Sequence, residues 1–324
     1  MSLDVNGLHV AGKLPADPFD VKPSNVITIK SAMADAFEAM RARAAKGECL
    51  AGVSCGYPEI DKALDGLQRG KVYILGARSG VGKSILGVNI ALNVASIGEP
   101  VLYHSLEMPA AQIAEWCLFA WSRVVDELRG VGVSSWKFRK GKCEPRDWTM
   151  LTASTQAVSS FPIAFDERCA LTIEAVEKSI VASPSTLVVI DHILLLAGTN
   201  PRQPRREQMI HVTHELKRIA KQHNVAILAL TQLNRASEAR QVKDKRPRIS
   251  DLQESGSVEQ DADAVILLYR EDKYREGGTP DHVMEVLMPK VRGGSEAYKK
   301  LHFIGDRYQI TNPTGPVADD KEPT

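Results

Sequence analysis

KVYILGARSGVGKSILGVNIALNVA, residues 71–95, is the stretch on which the fold turns. Its first part, KVYILGA (71–77), is an apolar run of strand character. After a turn holding Gly80 and Gly82, the apolar residues Ile85, Val88, Leu92 and Ala95 recur at helical spacing. Strand, glycine-bearing turn and helix in this order, with Lys83 and Ser84 at the helix start, are the context in which GARSGVGKS (76–84) reads as a P-loop. Backbone N–H groups of Ala77, Ser79, Gly80, Val81 and Gly82 and the helix N-terminus favour phosphate oxygens. Lys83 adds a point charge, and the Ser84 hydroxyl supplies an oxygen for Mg²⁺. The expected ligands are ATP or another nucleoside triphosphate with Mg²⁺. The usual first glycine is Ala77 here, which fits provided that its φ is negative.

On either side, short β-branched runs alternate with longer helical patterns, the signature of an α/β fold with a mostly parallel central sheet flanked by helices. Strands are expected at 71–77, 100–106, 162–167, 186–191, 225–233, 264–270, 282–289 and 299–305, several apolar throughout, as strands covered on both faces must be. Helices are expected near 83–95, 109–121, 145–159, 172–181 and 206–222. The last three strands lack long helices between them, which implies an antiparallel extension at the end of the parallel core. Further out, Ile29, Met33, Phe37, Met40 and Ala44 recur every three or four residues and predict an amphipathic helix, whose apolar stripe would pack on its own domain or on a neighbouring subunit. The expected organisation is a flexible tail at 1–28, a linker helix at 29–50, one large domain at 51–312 and a second tail at 313–324.

Composition excludes several classes. With 44% hydrophobic and 25% charged residues in 324, the chain buries a large core. Its 41 Lys and Arg against 40 Asp and Glu leave +1, so nucleic-acid contact would need a local basic patch. The most apolar run, LVVIDHILLLAG (187–198), is broken by Asp191 and His192, so no membrane partner is expected. The N-terminal residues have no export or transit pattern, and the expected compartment is the cytoplasm. Five cysteines without a CxxC pair suggest neither a disulfide framework nor a thiolate zinc site, and His211 and His214 lack the HExxH spacing.

A P-loop needs a second carboxylate to organise Mg²⁺ at the end of a neighbouring strand, and TLVVIDH places Asp191 after four consecutive apolar residues. A capping aspartate would read the same way. Hydrolysis needs a group that orients or deprotonates water, and Glu107 in VLYHSLEMP stands just past another strand, although a solvated strand-end glutamate is the alternative. Gln232, ending VAILALTQ, stands where an amide would sense the γ-phosphate or simply cap the strand.

In order, spacing and wording, GARSGVGKS, HSLEMP, VVIDH, LTQLNR, SDLQESGSVEQDAD and KVRGG resemble the RecA-like P-loop NTPase motor domain of DnaB-family replicative DNA helicases. VSSWKFRKGKCEPRDW (133–148) also looks like that family, and the likeness runs from about Cys55 to Asn312. The resemblance implies a homo-hexameric ring that hydrolyses ATP at subunit interfaces, translocates on single-stranded DNA and unwinds duplex during replication, with a primase and a helicase loader as candidate partners. It assigns Lys83, Ser84 and Asp191 to phosphate and Mg²⁺, Glu107 to water activation and Gln232 to γ-phosphate sensing. Lys290 and Arg292 match the basic pair offered across the interface to the neighbour's nucleotide. SDLQESGSVEQDAD resembles the family's channel loop, with Gln253, Glu254, Ser255 and Gly256 as the DNA-binding candidates, and Gln253 stands where the family pattern has arginine. The basic segment 234–251 is either a coupling element between hydrolysis and DNA or a solvated loop. With about fifty residues before the motor, the reading is a short form like those of some phages and plasmids. The alternative from another class is a RecA- or KaiC-like ATPase that acts as a recombinase or regulator without unwinding.

Overall fold

The computed structural model describes residues 28–47, 50–126, 131–196, 204–234, 244–252, 255–274 and 281–313. The chain divides into two compact units, Met1–Cys49 and Leu50–Thr324. In the first, the periodic stretch is helix α1 (Ile29–Lys46), started by Thr28, whose hydroxyl accepts the Ser31 N–H, and stopped by Gly47 in the left-handed conformation. Ile29, Met33, Phe37 and Met40 are all exposed.

Among the described residues, the second unit has nine strands: β1 (Val72–Ala77), β2 (Val101–Ser105), β3 (Ile163–Asp166), β4 (Leu187–Asp191), β5 (Ala226–Gln232), β6 (Ala264–Tyr269), β7 (Val283–Val291), β8 (Ala297–Ile304) and β9 (Gln309–Thr311). They form one sheet in the order β3-β2-β4-β5-β1-β6-β7-β8-β9. The pairings from β3 through β6 are parallel, and those from β6 through β9 are antiparallel. The antiparallel extension is therefore real but begins one strand later than expected, because β6 pairs parallel with β1. Strand β9 has only three residues, too short for periodicity to reveal.

Among the described residues, the unit also has helices α2 (Pro58–Leu64), α3 (Lys83–Ser96), α4 (Ala110–Ser122), α5 (Ser135–Arg139), α6 (Pro145–Val158), α7 (Ile173–Ala182), α8 (Arg205–Gln222) and α9 (Ser255–Asp261). The five long helices lie where the periodicity puts them, whereas α2, α5 and α9, of seven residues or fewer, do not show in the pattern. Along β1 the side chains alternate: Tyr73, Leu75 and Ala77 enter one core with residues of α3 and α4, while Val72 and Ile74 enter a second with residues of α7 and α8. Two-sided burial explains why β1, β2, β4 and β6 have no exposed position and why their sequences do not alternate. The parallel strands all run the same way, so their C-terminal ends share one edge. Ala77, Ser105, Asp191 and Gln232 end four of them.

Candidate nucleotide site

The P-loop leaves the sheet at Ala77, which is fully buried and stays outside the positive-φ region, so alanine meets the backbone requirement. Gly80 and Gly82 have φ of 73° and 121°. At Gly82 a Cβ would also stand 2.8 Å from Met284 Cε and Phe303 Cε2, so both conformation and space demand glycine. Helix α3 starts at the next residue, and no side chain caps its N-terminus. Its first N–H groups and the partial positive charge of the helix end suit an anion, the chemistry of a phosphate cradle.

Asp191 ends β4 in register with Ser105 on β2. Its Oδ1 lies 2.7 Å from Lys83 Nζ, with 11% and 1% of the lysine and aspartate side chains exposed. The Tyr103 hydroxyl donates to Asp191 Oδ2 at 3.2 Å. Burial, and then the Asp191 carboxylate, push the Tyr103 pKa well up, so the phenol remains a donor. Ser84, at the second position of α3, adds a hydroxyl beside Lys83 in the chain. A hydroxyl and a carboxylate form the hard oxygen set that Mg²⁺ prefers, so the residues fit both parts of a magnesium nucleotide.

Glu107 follows β2 by two residues and is more than half exposed. Its Oε2 is 3.6 Å from His192 Nε2, next to Asp191 in the chain, so base candidate and metal candidate are brought together. The Leu106 N–H donates to the Asp191 carbonyl at 2.9 Å and ties the two strand ends. Gln232 is paired in register with Ala77, and the Leu233 N–H donates to the Ala77 carbonyl at 3.0 Å. Arg78, inside the P-loop, donates to the Leu233 carbonyl at 2.7 Å. Leu233 and Leu252 form an antiparallel bridge, and the Asn234 N–H donates to the Asp251 carbonyl at 2.9 Å. The strand end carrying Gln232 is thus linked by backbone to the residue just before the DNA-binding candidates.

Lys290 and Arg292 are not at this edge. Lys290 is opposite Val265, which is opposite Ile74, and the Arg292 N–H donates to the carbonyl of Asp263, whose own N–H donates to Val72. At about 3.3 Å per residue, Lys290 is roughly 10 Å and Arg292 roughly 16 Å short of the level of Ala77, with the P-loop beyond it. Both cations lie on the end of α9: Lys290 donates to the Glu259 carbonyl, Arg292 to that of Gln260 at 3.0 Å, and Arg292 Nη1 is 3.6 Å from Asp263 Oδ1. Burial, and then Arg292, lower the Lys290 pKa.

Gln253 and Glu254 lie outside the described residues. Ser255 and Gly256 open helix α9 and are not loop residues, a correction to the channel-loop expectation. Local pattern missed this because SGSVEQD contains one apolar residue and no stripe. In the basic segment, Arg246 is only partly exposed and makes a two-pronged ion pair with the buried Glu285 at 2.6 and 2.8 Å. Sequence reasoning also missed Tyr103, although strand alternation from Ser105 puts it on the same face. It missed Arg270 and Phe303, which stack with the guanidinium carbon 3.9 Å from the ring centroid, Phe303 being the ring against Gly82. Nothing local joins residues 33 positions apart; only the β6-β7-β8 pairing does so.

A parallel sheet with an antiparallel flank, a P-loop after its central strand and acidic residues at two neighbouring strand ends define a RecA-like P-loop domain. The DnaB-like helicase C-terminal domain family matches residues 52–312, and the chain belongs to that family. It is 33% identical over 269 residues to the replicative DNA helicase DnaB of Geobacillus stearothermophilus, covering 81% of this chain and 57% of that protein. It is 33% identical over 273 residues to the replicative DNA helicase DnaC of Bacillus subtilis (strain 168), covering 82% and 58%. The chain thus spans less than three-fifths of these relatives. Among solved structures, the ATPase domain of a DnaB-like helicase superposes with a TM-score of 0.80 at 25% identity, covering 90% of this chain and all of that one. A DnaB-like replicative helicase, described with its interactions with primase, superposes with a TM-score of 0.78 at 26% identity, covering 90% and 68%. No helix among the described residues is long and apolar enough to cross a membrane.

Proposed function

We propose that the chain is the motor of a replicative ring helicase, hydrolysing ATP with Mg²⁺ between subunits and using the cycle to move along single-stranded DNA and open duplex. The observation that carries this reading is the placement of Lys290 midway along the sheet and Arg292 at its far end, both well short of the level at which their own P-loop leaves it. A cation pair there cannot reach the nucleotide of its own subunit, and its natural partner is the nucleotide of the next one. A ring of six copies satisfies that geometry with one repeated interface.

Before nucleotide binds, Lys83 and Asp191 neutralise each other. Phosphate would draw the Lys83 ammonium away, leaving Asp191 and Ser84 as the residues that would hold Mg²⁺, whose chemistry there would be to offset phosphate charge. Glu107, exposed and beside the metal candidate, accepts the proton of the attacking water. The neighbour's Arg292 offsets the charge that develops on the transferred phosphoryl group. Loss of the γ-phosphate is read at Gln232 and passes through the Leu233–Leu252 bridge to residues 253–256 at the strand of DNA.

The test is to measure ATP hydrolysis with and without single-stranded DNA, to image the particles and to follow unwinding of a forked duplex. Six-membered rings, DNA-stimulated hydrolysis and fork opening are expected. DNA-length filaments, or hydrolysis without unwinding, would favour a recombinase or a regulatory ATPase and reject this reading. Primase is a proposed partner because a solved neighbour is described with primase, whereas a loader rests on the family resemblance alone. Cytoplasmic localisation follows from a role on replicating DNA.

A further inference from the structure

Lys273 stands in the short turn Glu271–Lys273 that follows β6, at the sheet edge where the P-loop emerges, since Leu268 on β6 is level with Ala77 on β1. Its ammonium lies 4.0 Å from the point a Cβ on Gly80 would occupy. The turn is held firmly. The Arg270–Asp272 ion pair closes at 2.5 Å with both side chains over nine-tenths buried, the Lys273 N–H donates to the Arg270 carbonyl, and Tyr274 stacks on Tyr269 at 5.3 Å. Because Arg270 takes the adjacent carboxylate of Asp272, no ion pair engages the Lys273 ammonium among the described residues.

We propose that Lys273 is a further phosphate-binding residue of the nucleotide site, acting within its own subunit beside the P-loop. The physical reason is a concentration of donors without an acceptor. The exposed Lys273 ammonium stands beside Gly80, whose amide belongs to the same turn as that of Gly82 and leads into the N-terminus of α3, and among the described residues the nearby Lys83 is the only one of these groups with a carboxylate partner, Asp191. Such an arrangement repels itself and becomes favourable when an anion with several charged oxygens binds, because ammonium-to-phosphate hydrogen bonds are charge-assisted. Glycine at position 80 helps, since no side chain stands between the lysine and the cradle. Arg292 is excluded from this role in its own subunit by its position at the far end of the sheet, so Lys273 is a cation in cis where Arg292 is one in trans.

This inference rests on the nucleotide-site reading above, and the experiment separates the two. Binding of a fluorescent ADP analogue with Mg²⁺ would be measured on the full chain for Lys273→Ala, Lys273→Arg, Lys273→Glu and Lys83→Ala, across a series of salt concentrations, alongside single-stranded DNA binding without nucleotide. Lys273→Ala is expected to bind nucleotide about tenfold more weakly, the lower end for a hydrogen bond to a charged group, with a flatter salt dependence. Lys273→Arg should stay within about twofold of the parent, and Lys273→Glu should fall below Lys273→Ala. DNA affinity should not change. Parent-like nucleotide affinity in Lys273→Ala overturns the proposal, as does weakened DNA binding with nucleotide affinity intact, which would assign the lysine to a DNA surface. Parent-like nucleotide affinity in Lys83→Ala would instead bring down the P-loop reading itself.

Discussion

Replacing Lys83 with methionine while Asp191 remains should destabilise the nucleotide-free domain, and adding Asp191→Asn should recover part of the loss. The carboxylate is 1% exposed and has two partners, the Lys83 ammonium at 2.7 Å and the Tyr103 hydroxyl at 3.2 Å. Removing one partner of a buried ion pair costs about 3–5 kcal/mol, chiefly because the other charge is stranded. The retained phenol and the slight exposure of Lys83 place this case near the lower end, at about 3 kcal/mol. For a domain of this size, that corresponds to a fall of roughly 6–12 °C in the unfolding midpoint. Asp191→Asn alone keeps the shape and one acceptor oxygen, and should cost about 1–2 kcal/mol. If the two residues act as a pair, the double variant should lose about 2 kcal/mol less than the sum of the singles. Denaturant unfolding without nucleotide, run as a double-mutant cycle, measures this coupling directly. Additivity within about 0.5 kcal/mol would refute the claim that Lys83 and Asp191 hold each other without nucleotide. Nucleotide with Mg²⁺ should raise the midpoint of the parent but not of the double variant, which separates repaired folding from repaired binding.

Glu107→Gln should retain ATP binding while hydrolysis drops about 10²- to 10⁴-fold, measured by phosphate release, because the amide keeps the shape but accepts no proton. Arg292→Ala should bind ATP and lose about a thousandfold or more in turnover, and mixing it with Lys83→Ala protein should restore some activity through interfaces that combine the intact residues; rings that exchange subunits without rescue would argue against a shared site. His104 is buried beside Asp166 at 3.3 Å, with Arg168 next to that carboxylate, and burial lowers its pKa from 6.5 to about 4. The unfolded chain therefore takes up the proton first as pH falls, so stability contributed by neutral His104 is complete above about pH 6.5 and is lost towards pH 4, by up to about 3 kcal/mol. Denaturant midpoints across that window should show the slope, and His104→Phe should flatten it.

The parallel core, the P-loop and the positions of Asp191, Glu107 and Gln232 at or just past strand ends were legible in the chain's letters alone. Each depends on short-range information: apolar runs long enough to be covered on both faces, glycines where the turn needs them, and polar residues at the point where an apolar run stops. The order of the motifs added the family and, with it, Lys290 and Arg292. Their place well short of the P-loop's level came only from the β1-β6-β7 register, because pairing direction and level are properties of strands brought together across the chain. The same register, not any local pattern, sets Phe303 against Gly82 and Arg270 on Phe303. Tertiary contact also turned Arg246, one of several cations in a charged run, into the partner of Glu285, and brought the turn after β6 to the P-loop with Lys273. A side chain's chemistry can be read from its letter and neighbours; what it faces is decided by residues tens or hundreds of positions away, whose approach depends on how the whole sheet packs.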